Sequence, residues 1–155
     1  MSTDSEHRRT VANNRRARHD YLILDELECG IVLTGTEVKT LRGGQCSIGE
    51  AHARVIDEEL FLIGMHIPEY NQGNVHNHVP VHDRKLLCHR RELTRWHKRV
   101  REKGVTMVPL AVHFKGSRVK VLIGLARGKR LYDKREAQRS KDDRREMDRA
   151  LKRRG

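Results

Sequence analysis

The chain has 155 residues, with 33 Lys and Arg against 21 Asp and Glu, giving a formal net charge of +12 at pH 7. That length predicts one domain with room for a tail, and 36% hydrophobic residues support a single modest core. No apolar run approaches a membrane span, residues 1–20 hold no signal-type segment, and three cysteines without a CxxC make neither a disulfide framework nor a zinc ribbon. What remains is a cytoplasmic, basic chain that faces RNA or DNA.

Residues 127–155 carry 13 basic and 6 acidic residues, so 7 of the 12 excess charges lie in the last 29 positions. Arg outnumbers Lys by 23 to 10. Arg forks match phosphate oxygens and stack on bases, whereas Lys would serve solubility alone. A basic tail on a nearly balanced domain reads as a polyanion-binding arm.

Taken in chain order, residues 1–12 are polar and aperiodic and are expected to be disordered. Tyr21 to Leu33 mixes apolar and polar residues in strand fashion. Thr36 is a candidate N-cap for a two-turn helix closed by Gly43, with Val38 and Leu41 three apart. Ala51, Ala53 and Val55 alternate with polar neighbours, and an acidic turn at Asp57-Glu58 leads into a second strand at Leu60–Ile63. Residues 68–83 read as a loop. Leu86, Leu93, Trp96 and Val100 recur at spacings of seven, three and four, predicting an amphipathic helix stopped by Gly104, with Arg91, Arg95, Lys98, Arg99 and Arg101 on its other face. Strands at Val105–Phe114 and Val119–Ala126 flank a Gly116-Ser117 hairpin turn, and alternation sets Lys120 opposite Val119 and Val121.

The fold class is therefore mainly β: a small, closed or nearly closed barrel with two or three helices, residues 13–130, followed by a basic tail, residues 131–155. Alternating βαβ order is absent, which disfavours a doubly wound sheet. From Tyr132 on, the only aliphatic or Met side chains are Ala137, Met147, Ala150 and Leu151, too few to bury a face. The tail is expected to be disordered when free. Wound as a helix, Lys141, Arg145, Arg149 and Lys152 fall within an arc of roughly 80°, a stripe that can fold against an RNA groove.

Three ordered stretches carry a resemblance. They are Asn14-Arg15-Arg16-Ala17-Arg18-His19-Asp20-Tyr21 with Glu28-Cys29-Gly30 and Gly35–Arg42; Arg84-Lys85-Leu86-Leu87 with Arg91-Glu92-Leu93; and Gly124–Arg130 with Asp133-Lys134-Arg135-Glu136. From about Asn13 to Arg154 the chain closely resembles the SmpB family, the SsrA-binding proteins of bacterial trans-translation. The resemblance implies an oligonucleotide-binding-type (OB-type) barrel, no enzymatic activity and no cofactor. The implied partners are the tRNA-like domain of transfer-messenger RNA (tmRNA), the stalled 70S ribosome with its small-subunit rRNA at the decoding centre, and, through tmRNA, elongation factor Tu. Barrel and RNA together would look like a tRNA, and the tail would enter the decoding centre and the empty mRNA channel as a helix.

Carried over by motif, the RNA-binding residues are Asn14, Arg15, Arg18, His19, Glu28, Lys39, Arg42, Arg84, Lys85, Leu87, His89 and Lys120. A carboxylate repels phosphate, so Glu28 is expected to accept bonds from a base, a ribose hydroxyl or a neighbouring Arg. Gly128, Lys129, Tyr132, Asp133, Lys134 and Arg135 match the start of the ribosome-binding tail, which continues through Lys141, Arg145, Arg149 and Lys152. The chain departs from the family at Val79-Pro80-Val81-His82-Asp83, a less basic loop than relatives have, and His89 differs in type from some of them.

Other chemistries are weaker. His76, His78 and His82 could converge on a metal, but no Cys or paired carboxylate completes a site. Glu26 and Glu28, or Glu58-Glu59, show none of the gathering that a metal-dependent nuclease needs. Cys29, Cys46 and Cys88 read as small inert side chains. A ribosomal protein with a basic extension is the rival of a different class. Six aromatics, at least three of them in core-like positions, make a poor stacking platform, which favours a folded RNA read by shape and phosphate geometry.

Overall fold

The structure, a computed structural model, describes residues 8–72, 76–129 and 145. Its elements are β1 (Arg8–Asn13), α1 (Arg15–Asp20), β2 (Tyr21–Ile31), α2 (Gly35–Arg42), β3 (His52–Ile56), β4 (Glu59–Ile63), β5 (Arg84–Leu87), α3 (Arg90–Arg99), β6 (Val105–Lys115) and β7 (Arg118–Gly128). The antiparallel order β6-β3-β4-β5-β2-β7 closes on itself because β6 also pairs with β7. This ring is the closed barrel that the alternating strands predict.

Strand β6 makes closure possible by its length. Its start takes β3, with Met107 opposite Ala53, and its end takes β1, with Lys115 opposite Arg8. Residues 8–12 are thus ordered as part of an edge strand, contrary to the expectation of disorder up to residue 12. The backbone groups along the free half of β6 supply the reason, since a strand edge left open needs partners.

Alternation on β7 sends Val119, Val121, Ile123 and Leu125 into the barrel, where all are buried. Each such side chain contributes about 1.5–3 kcal/mol on leaving water. Leu41 from α2 and Trp96 from α3 join the same core. A second, small cluster forms outside the ring: Ala17 of α1 covers Val108, Leu110 and Ala126. Gly124 is required there, because a Cβ on it would lie 2.8 Å from Leu110 Cδ1.

Three local expectations shift. The N-cap of α2 is Thr34 rather than Thr36, since only Thr34 stands three residues before Glu37 and completes a capping box. Leu86 belongs to β5, and the third helix begins at Arg90. Helix α1, absent from the sequence reading, is started by Asn14, whose side chain accepts from the Ala17 amide at 3.0 Å. The Asp57-Glu58 turn forms as expected, both residues taking positive φ (49° and 63°). Among the described residues no helix is long and apolar enough to cross a membrane.

Candidate nucleic-acid interface

Strands β5, β2 and β7 lie side by side, and register sets Gly30 opposite both Leu87 and Lys120. Gly30 leaves a shallow saddle between them. A Cβ placed there would stand 3.4 Å from Leu87 Cβ and 3.8 Å from Lys120 Nζ. The outer row thus holds an exposed leucine beside a lysine ammonium, with His113 across from Lys120 on β6.

Glu28, on the same face, is held by cations. Its Oε2 accepts from Arg8 Nη2 at 2.7 Å, and Lys115 Nζ lies 3.7 Å from Oε1. Of the roles open to it, the structure supplies the neighbouring Arg. His113 sits behind, 5% exposed, with Nε2 3.6 Å from Glu28, beyond hydrogen-bond reach. Burial pushes the His113 pKa below the ordinary value and Arg8 pushes it the same way, while Glu28 opposes them. The imidazole is therefore neutral at pH 7, and the net charge of this patch comes from Arg8, Lys115 and Lys120 against Glu28.

Two residues carried over by motif are buried and shape the fold instead. Asn14 is 5% exposed, and its amide donates to the Pro109 carbonyl at 2.8 Å. Arg84 is 1% exposed and donates to Glu37 Oε2 at 2.6 Å, to the Met65 carbonyl at 2.6 Å and to the Pro80 carbonyl at 3.0 Å. Neither presents a free donor to a nucleic acid. Burial alone would raise the pKa of Glu37, but the Thr34 amide, Arg84 and His82 outweigh it and hold the carboxyl below the usual range.

The remaining motif residues are accessible. Arg15 is exposed with no ion-pair partner among the described residues, Arg18 lies 3.6 Å from Glu26, and the His19 ring is 3.0 Å from Asp20. His19 lines a depression with Tyr21, Gly128 and Lys129, so the N-terminal motif meets the start of the tail. This cluster and the Gly30 saddle lie at opposite ends of β2, nine residues and about 30 Å of strand apart. Lys39 lies over the Tyr70 ring at 5.7 Å, and Arg42, exposed, offers its carbonyl to Arg9. Lys85 pairs with Glu59 at 3.1 Å, and His89 is the exposed N-cap residue of α3.

Tyr132, Asp133, Lys134, Arg135, Lys141, Arg149 and Lys152 lie outside the described residues, while Arg145 is helical and exposed. Arg8 escaped the sequence reading because it falls in a stretch without period. Its signal is positional, since only the register of β1 on β6 brings it to Glu28.

Two of the histidines weighed as a metal cluster are engaged separately. His78 is buried between the Thr36 hydroxyl and the Ile67 carbonyl, each at 2.9 Å, and His82 lies 3.0 Å from Glu37. No group of three metal-binding side chains gathers among the described residues. Nor is any described aromatic ring exposed: Trp96 and Phe114 are buried, and Tyr21, Phe61 and Tyr70 are partly so.

A closed antiparallel barrel with a cation-framed outer face and, among the described residues, no exposed ring defines an OB-type barrel suited to a folded polyanion. The family model described as "SmpB protein" matches residues 11–153. An SsrA-binding protein of Kineococcus radiotolerans is 56% identical over 144 residues, covering 93% of this chain and 92% of the relative. One of Acetivibrio thermocellus is 51% identical over 147 residues, covering 95% and 96%. A solved chain described under "tmRNA-SmpB: a journey to the center of the bacterial ribosome" is 49% identical, covers 76% of this chain and 83% of that chain, and superposes with a TM-score of 0.65. The chain belongs to the SmpB family.

Proposed function

We infer that this chain is an RNA-binding adaptor that binds the tRNA-like domain of tmRNA and delivers it to stalled ribosomes for trans-translation, with no chemistry of its own. The observation that carries the reading is the Leu87–Gly30–Lys120 row in a chain so similar to SsrA-binding proteins. Leu87, half exposed, offers an apolar contact to a base or ribose, and Lys120 offers a phosphate contact beside it. Arg8 neutralises Glu28, so the carboxylate does not oppose an approaching phosphate. The α1 cluster of Arg15, Arg18 and His19 supplies further donors close to the base of the tail.

In this reading residues 131–155 act after RNA binding. They occupy the decoding centre and the empty mRNA channel as a helix, with the Lys141, Arg145, Arg149 and Lys152 stripe against rRNA. The barrel selects the RNA, and the tail registers that the channel is empty.

The test is Lys120→Ala and Leu87→Asp, measured by tmRNA binding across a salt series. Lys120→Ala should weaken binding and lower the log–log salt slope by about 1. Leu87→Asp should weaken binding by placing a second carboxylate on the row. Wild-type affinity in both variants would remove the β5–β2–β7 face from the interface.

A further inference from the structure

Helix α3 carries a stripe of charge, and although Arg91 falls within a matched motif, no RNA-binding role is carried over to any residue of the stripe. Leu93, Trp96 and Val100 face the core, with Trp96 1% exposed. At the opposite positions, Arg90, Arg91, Thr94, Arg95, Lys98 and Arg99 line one shallow groove without a carboxylate. Glu92, the one acid of the helix, turns elsewhere, its charge reaching Cys29 and Cys88.

The acids that hold these cations come from outside the helix and hold them weakly. Arg90 pairs with Glu58 at 3.0 Å, both more than three-quarters exposed, Arg95 lies 3.6 Å from Asp25, and Arg99 lies 3.4 Å from Glu102 just past the helix. Such exposed pairs contribute little and exchange readily for a phosphate. Arg91 and Lys98 have no acidic partner among the described residues. They sit seven positions apart, two turns along one side of the helix and about 10 Å from each other. Folding therefore leaves both unpaired while burying the apolar stripe behind them.

The position of the helix says which ligand meets it. His89, exposed, is the N-cap residue, and Leu87 of the saddle stands two residues before it. The basic face thus begins where the Leu87–Lys120 row ends.

We propose that the outer face of α3 continues the RNA interface, with Arg91 and Lys98 each holding a backbone phosphate of the tmRNA strand that leaves the Leu87–Lys120 saddle. The proposal rests on the tmRNA-binding reading above and adds a second element to it. Arg suits the first position because its fork can hold two phosphate oxygens, and Lys suits the second as a point charge.

The test uses the full chain and a tmRNA transcript, with binding followed from 50 to 300 mM KCl. Arg91→Gln/Lys98→Gln breaks no ion pair and should keep the wild-type thermal midpoint. Its salt slope should fall by about 1.4–1.8, for two phosphate contacts. Arg91→Lys/Lys98→Arg, which keeps both charges, should restore the slope. A Gln variant that folds normally and keeps the wild-type slope would overturn the proposal while leaving the saddle reading intact. Failure of the wild-type chain to prefer tmRNA over tRNA would instead remove the reading on which the proposal rests.

Discussion

Arg84 and Glu37 meet at 2.6 Å with both side chains sealed from solvent, joining β5 to the first turn of α2. Both terminal nitrogens of the guanidinium donate to carbonyls of the segment between β4 and β5, and the second Glu37 oxygen accepts from the Thr34 amide at 2.9 Å. The pair fixes the long connection against the helix, and with it the start of the strand that presents Leu87. Removing one partner strands a buried charge. Arg84→Met should therefore cost about 3–5 kcal/mol in urea unfolding, and Glu37→Gln/Arg84→Met should be more stable than Arg84→Met alone.

The same carboxyl sets an acid limit. Its pKa is depressed in the folded chain, so the unfolded chain binds the proton first as pH falls. This contribution is complete above the ordinary Glu value of about 4.3 and drains as pH falls through the folded value. Glu37→Gln should lower stability at neutral pH, because the buried Arg84 loses its counterion, and flatten the dependence of stability on pH in that window. A wild-type acid limb retained in Glu37→Gln would contradict the assignment.

His113 gives a separate window. Its pKa is lowered by burial first and by Arg8 second, so protons again favour the unfolded chain. Stability should be complete above about pH 6.5 and decline as pH falls from there towards the folded value. His113→Gln should remove the decline below about pH 6.5 without touching the Glu37 limb. Equal slopes in wild type and variant would show that His113 does not titrate on unfolding.

Gly124 and Asn14 test the outer cluster. Gly124→Ala must push Leu110 aside from a 2.8 Å approach, and overpacking of this kind costs about 1–3 kcal/mol. Asn14→Ala removes a cap and a buried amide, and should cost about 1–2 kcal/mol. Both losses belong in the thermal midpoint. At a temperature where the variants remain folded, the salt slope of RNA binding should match the wild type, which separates Asn14 from the exposed Arg15 and Arg18 beside it.

The parts of this architecture legible in the sequence are those decided by near neighbours. The β6–β7 hairpin follows from Gly116-Ser117 and strict alternation, and that alternation also points Lys120 outward. Strand β5 is hidden because it is four residues long and Leu86 fits a helical spacing to Leu93. Strand β1 is hidden because it needs only the free edge of β6, and its own sequence has no apolar face to advertise it. The site divides in the same way. Arg84 reads as one more basic residue of a motif until a partner 47 positions away buries it. Conversely, Glu28 reads as an obstacle to RNA until Arg8, 20 positions away, neutralises it.

Truncation at residue 130 separates the two proposed roles. The barrel elements end at Gly128, so the shortened chain should fold and keep its tmRNA affinity. Tagging of nascent chains on stalled ribosomes should be abolished. Loss of RNA binding on truncation would show that barrel and tail do not divide the work.

The most direct measurement compares binding of the purified chain to its own cell's tmRNA, to tRNA and to a scrambled RNA of equal length, at about 150 mM salt. Nanomolar binding to tmRNA with clear preference over the other two is the expected result. Equal affinity for all three would reduce the barrel to a general polyanion binder and bring a ribosomal-protein role to the front.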